Sequence, residues 1–132
     1  MGEWTKQGSQ DLGGIYFNNV IQHAELYLGL FTNDLTDLNN ATLSSLTEPT
    51  ASVYARIPLS PANWVVVDEL AVYPTISYEV ASEALGTIYG CFICTVLTGV
   101  SGKLLAVNKF ASPVDLAFYG DRLDITPRIS IT

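Results

Sequence analysis

The sequence predicts an all-β fold: an antiparallel β-sandwich or jelly roll, with one short N-terminal helix behind a flexible N-terminal arm. Three observations carry that prediction. Apolar residues recur with a period of two over most of the chain after residue 25. The apolar stretches are strand-sized and rich in β-branched and aromatic residues. Turn signals return at short intervals, and no βαβ alternation interrupts them. With 132 residues, 48% of them hydrophobic and 14% charged, the chain has material for one core. A domain of this size removes roughly two-thirds of its unfolded surface from water. No repeat, linker or low-complexity tract marks a second domain, so the expected division is an arm over residues 1–14 and a single β domain over 15–132.

Residues 1–14 are polar and Gly-rich around a single aromatic, Trp4, which reads as a mobile arm. In residues 15–24 (IYFNNVIQHA), Phe17, Val20, Ile21 and Ala24 follow helical spacing and predict a short amphipathic helix. Residues 25–32 (ELYLGLFT) read as a strand. The polar connection over 33–50 is long, so it is expected to pack on the surface with Leu35, Leu38, Leu43 and Leu46 turned inward. Residues 52–59 put Val53, Ala55, Ile57 and Leu59 on one face, and Pro58 confines that segment to an edge or a strand end.

Residues 63–67 and 70–73 form strands about an Asp68-Glu69 turn, and residues 75–80 alternate cleanly. Residues 87–98 (TIYGCFICTVLT) read as a buried strand. A hairpin-type turn over 98–102 sends 103–110 back antiparallel, and Ser112-Pro113 then breaks the chain. In residues 122–132 (RLDITPRISIT), Leu123, Ile125, Pro127, Ile129 and Ile131 share one face.

Several function classes fall away. Thirteen acids against six bases give a net charge of -7, which opposes binding to nucleic acid and to anionic membranes. No apolar run approaches the ~20 residues that span a bilayer. The N-terminus, MGEWTKQGSQ, lacks the basic and apolar regions of a secretory signal and the Ser or Thr of a myristoylation motif. The expectation is a protein made and kept in the cytoplasm or released when the cell breaks. Cys91 and Cys94 form a C-x-x-C, but strand neighbours three apart face opposite ways, so they neither bridge nor share a metal. They read as small buried hydrophobes in a reducing compartment.

His23 is the one candidate base of its type and has no evident nucleophile beside it. The acids are scattered or lie in turns rather than forming a catalytic pair. Gly8, Gly13 and Gly14 lack the Lys-Ser/Thr of a phosphate loop. Residues 33–40 (NDLTDLNN) lack the Gly and the spaced Glu of a calcium loop. The sequence therefore predicts no enzyme, no cofactor and no metal. Most aromatics (Trp64, Tyr73, Tyr78, Tyr89) sit in strand patterns and pack there. Trp4 lacks apolar neighbours and reads as the anchor of a docking arm. Trp4, Pro58 and Tyr119 make up the candidate partner interface.

Four pieces of the chain carry a resemblance: residues 26–34 (LYLGLFTND); residues 47–49 with 54–56 (TEP and YAR) and Asn63-Trp64; residues 102–110 (GKLLAVNKF); and residues 120–131 (GDRLDITPRISI). Taken in this order and spacing, the sequence resembles a family of small structural proteins of tailed bacteriophages. The likeness covers most of the chain after the arm and departs in the arm and in residues 70–86. It implies a non-catalytic virion component, expected to be a capsid decoration (cement) protein. Such a protein bridges subunits of the capsid lattice as a homo-oligomer, a trimer or a dimer. The alternative is a tail- or fibre-associated receptor-binding module whose exposed aromatics grip glycans.

Overall fold

The computed structural model describes residues 3–130. It is mostly β, with three antiparallel sheets and one helix. The order along the chain is β1 (Glu3–Trp4), α1 (Lys6–Phe17), β2 (Leu26–Phe31), β3 (Ile57–Leu59), β4 (Val65–Val67), β5 (Leu70–Val72), β6 (Ile76–Glu79), β7 (Gly86–Cys94), β8 (Leu104–Leu116), β9 (Arg122–Ile125) and β10 (Arg128–Ser130). The large sheet runs β1-β8-β7-β2-β3, a three-stranded sheet runs β10-β5-β4, and β6 pairs with β9.

Strand alternation builds a core on each face of the large sheet. Leu28, Leu30, Leu59, Cys91, Ile93 and Ala106 face one way and pack with Tyr73, Tyr78, Ile125 and Ile129 from the smaller sheets and their flanks. Phe31, Phe92, Cys94, Leu104 and Val107 face the other way. That second face is covered by the 33–50 connection, whose Leu35 and Leu43 are buried and whose Leu38 and Leu46 pack alongside, as the sequence predicts. The two free cysteines thus lie buried on opposite faces of β7.

The N-terminus differs from expectation. The helix lies over Lys6–Phe17, mostly inside the 1–14 stretch read as a mobile arm and reaching only three residues into the expected 15–24 helix, while residues 18–25 have no regular structure. Three glycines depress helix propensity in α1, yet the helix is held at its start. Thr5 is the N-cap and its hydroxyl accepts from Gly8 N at 2.9 Å. The same hydroxyl donates to the Leu104 carbonyl, and Thr5 N donates to Leu105 O at 3.0 Å. Gly8 is required here: a Cβ at that position would stand 2.1 Å from Leu105 O. The helix stops where Asn19 turns left-handed (φ 56), a conformation that Asn tolerates. Val20 N then closes back on Gly14 O at 3.1 Å.

Three further expectations are corrected. The strand read over 52–59 shrinks to β3, because Tyr54 N bonds back to Ala51 O in a turn. β8 runs through Ser112-Pro113. Between the pairs Ile88↔Val114 and Gly90↔Lys109 the register shifts, and Pro113 falls in that irregularity, where no ladder donor is needed. The closing segment splits at Thr126-Pro127, β9 joining β6 and β10 joining β5.

Candidate functional site

Trp4 is half-buried and part of the fold. Its backbone pairs with Ala106, its ring packs against the main core, and its indole N–H donates to Ser130 O at 2.8 Å. This corrects the reading of Trp4 as an anchor on a free arm: the partner it lacks in sequence is supplied by the C-terminal strand. Pro58 is exposed on β3, opposite Tyr27, on an edge of the large sheet. Tyr119 is 84% exposed, next to an exposed Phe118. The turn that displays them is ordered by Asp121, whose carboxylate accepts from Phe118 N at 2.9 Å and Ala117 N at 3.2 Å. Gly120 supplies the positive φ of 87° that closes it. Trp4 and Pro58 lie on opposite edge strands of the large sheet, and Tyr119 on the turn between β8 and β9.

Two apolar surfaces escaped the sequence reading. β4 is an outer strand of its sheet, and Val65, Val66 and Val67 are 58%, 61% and 61% exposed. Three consecutive valines do not alternate, so the pattern assigns neither face to the core and leaves their exposure to be set by the neighbouring strands. The second lies around the end of α1, where Tyr16, Phe17 and Ile21 are each exposed. Unprotected apolar edges are templates for pairing with another chain, and contiguous exposed apolar patches mark interaction sites.

Two networks of polar side chains tie the connections to the large sheet and to α1. Arg56, only 5% exposed, forks onto Glu48 and also donates to the carbonyls of Val96 and Gly99, both at 2.9 Å. Tyr54 donates to Glu48 at 2.7 Å and accepts from Leu30 N at 3.0 Å. Burial pushes the Tyr54 phenol well above its ordinary pKa, so it stays a neutral donor. Near α1, the buried Asp11 carboxylate receives Lys103 Nζ and His23 Nε2, each at 2.9 Å. Burial alone would raise the Asp11 pKa, but hydrogen bonds and charge from Lys103 and His23 outweigh it and hold the carboxyl below its usual range. His23 is therefore a tether between residues 18–25 and α1.

Beside this triad lies a cavity of about 400 Å³ bounded by α1, residues 22–26, and the region from Leu59 to Trp64. Trp4 and Trp64 both line it. Trp64 is steadied from behind by an edge contact with Tyr73 at 5.2 Å between ring centres. Among the described residues, no group of three or more His, Cys, Asp or Glu is placed to hold a metal ion, and no helix is long and apolar enough to cross a membrane. No protein-family model, no curated protein and no solved structure matches the chain.

Proposed function

We propose that this chain is a structural, non-enzymatic component of a bacteriophage virion that docks on the capsid lattice as a decoration protein. The observation that carries the reading is β4, an edge strand with three exposed valines and no Pro, Lys or bulge to blunt it. Short as it is, such an edge offers apolar surface to a neighbouring chain, and a repeating shell presents many copies of one. Modest contacts at each copy add through avidity when the protein is itself oligomeric, as a dimer or trimer. The ordered Phe118-Tyr119 turn and the exposed Pro58 edge supply further contact surface at little entropic cost. In this reading the large sheet faces the two small ones as a β-sandwich, and the net charge of -7 keeps the free protein from packaged DNA.

Cosedimentation with heads of the phage whose genome encodes the chain tests the proposal. The full chain should bind at a saturating, fixed ratio to shell subunits, and Val66→Lys should abolish that binding while the protein stays folded. Binding that never saturates, or that Val66→Lys leaves intact, would overturn the role given to β4.

A further inference from the structure

We infer that the cavity beside α1 is a binding site for a neutral pyranose, a ligand site that goes beyond the docking role and does not depend on it. The cavity's about 400 Å³ lies within the range of small-ligand pockets, ~300–1,000 Å³. Its walls are chemically divided. The chain's two tryptophans, Trp4 and Trp64, both line it, over apolar side chains that include Leu26, Leu59 and Leu105. Both indoles are positioned from outside the cavity, Trp4 by Ser130 and Trp64 by Tyr73. They therefore offer flat apolar surface with little ordering left to do.

Polar groups on the lining come from α1, with Asp11, and from the irregular segment after it, with Gln22, His23 and Glu25. The Asp11 carboxylate takes up His23 Nε2 and is also paired with Lys103 Nζ, so the imidazole nitrogen left for a ligand is Nδ1. Glu25 makes no ion pair among the described residues. The rim thus combines an amide that both donates and accepts, an imidazole nitrogen and a carboxylate.

That division selects the ligand. A purely apolar guest would strip water from the rim and give nothing back. A phosphate, uronate or other anion finds no Lys or Arg on the lining and meets Glu25. A quaternary ammonium suits the indoles and Glu25, but its methyl groups leave Gln22 and His23 without a hydrogen-bond partner. A neutral pyranose has an apolar C–H face for an indole and hydroxyls that donate and accept around its edge.

Because both tryptophans line the cavity, intrinsic fluorescence of the full chain reads its occupancy directly. Methyl glycosides of glucose, galactose and mannose, and N-acetylglucosamine, are titrated beside choline chloride and glucuronate. The expected result is a saturable change with at least one neutral glycoside, at millimolar affinity. Gln22→Ala, at an exposed rim position, should weaken it about five- to tenfold with an unchanged melting curve, and Val66→Lys should leave it intact. Three results would overturn the inference: no saturation with any neutral glycoside, tighter binding of choline or glucuronate than of every neutral glycoside, or unaltered binding in Gln22→Ala. None of these bears on capsid docking, which cosedimentation reads separately.

Discussion

Arg56 meets Glu48 fork to fork, Nε to Oε1 at 2.9 Å and Nη2 to Oε2 at 2.8 Å. The guanidinium also lies over the Phe92 ring, 5.5 Å from its centre, and closes on two carbonyls of the β7–β8 turn. One buried cation therefore ties together the 33–50 connection, the approach to β3 and the following hairpin. Glu48 of the TEP piece and Tyr54 and Arg56 of the YAR piece are members of this network, so their spacing reflects a structural bond. Removing one partner of a buried pair costs ~3–5 kcal/mol because the other charge is stranded. Glu48 is partly exposed, so Glu48→Ala should fall near the lower end, a loss of about 3 kcal/mol, read as a lowered urea midpoint.

The contact of Gly8 with the β8 backbone separates two glycine substitutions in α1. Gly8→Ala places a methyl 2.1 Å from Leu105 O and should cost about 3 kcal/mol, the upper end of overpacking penalties. At Gly13 the added methyl meets nothing within 4 Å, and Gly13→Ala should stabilise by ~0.5–1 kcal/mol through helix propensity. Thermal melts of the two variants should therefore shift in opposite directions. A mobile N-terminal arm would make both silent.

Asp11 gives the fold an acid-sensitive joint. Its folded-state pKa is held below the unfolded value by Lys103 and His23 against the cost of burial. The unfolded chain therefore takes up the proton first as pH falls. The stabilisation is complete above the unfolded value of ~3.9 and disappears as pH drops through the folded value. Wild type should exceed Asp11→Asn in urea stability at neutral pH, and the gap should close as pH falls below about 4.

Cys91 and Cys94 should be inert while the protein is folded. Burial pushes the Cys91 thiol up to about 11 and raises that of Cys94, so little reactive thiolate forms near neutral pH. Labelling by an aromatic disulfide reagent should proceed only at the rate of opening and become immediate in urea.

How much of this was legible beforehand follows from which physical signal each element carries. β2, β7 and the β4–β5 hairpin announce themselves through branched and aromatic residues bounded by turn chemistry, Asp68 (φ 55) included. The inward leucines of the 33–50 connection were also readable. The helix was not: with glycines at 8, 13 and 14 its stability comes from Thr5 and the β8 backbone, contacts a hundred residues away in sequence. Periodicity instead favoured residues 15–24, whose Phe17 and Ile21 turn out to be solvent-facing. Trp4 looked unpartnered because its partner, Ser130, lies at the far end of the chain. The alternation across 122–130 was real, yet Pro127 hands the segment from one sheet to another, and period alone carries no sheet assignment. Pro58 and Tyr119 lie at the surface, whereas the β4 edge was missed because exposure of an all-apolar strand depends on its neighbours.

Val66→Lys isolates the proposed docking edge from stability. An exposed side chain away from caps and cores changes folding free energy by about 0.5 kcal/mol or less. Urea midpoints of the variant and wild type should agree, while the variant loses capsid binding.

Imaging of intact particles tests the central claim most directly. With the chain labelled at its C-terminus and virions viewed by electron microscopy, the label should form a regular array over the head shell. Label confined to the tail tip, or particles with none at all, would contradict a decoration role.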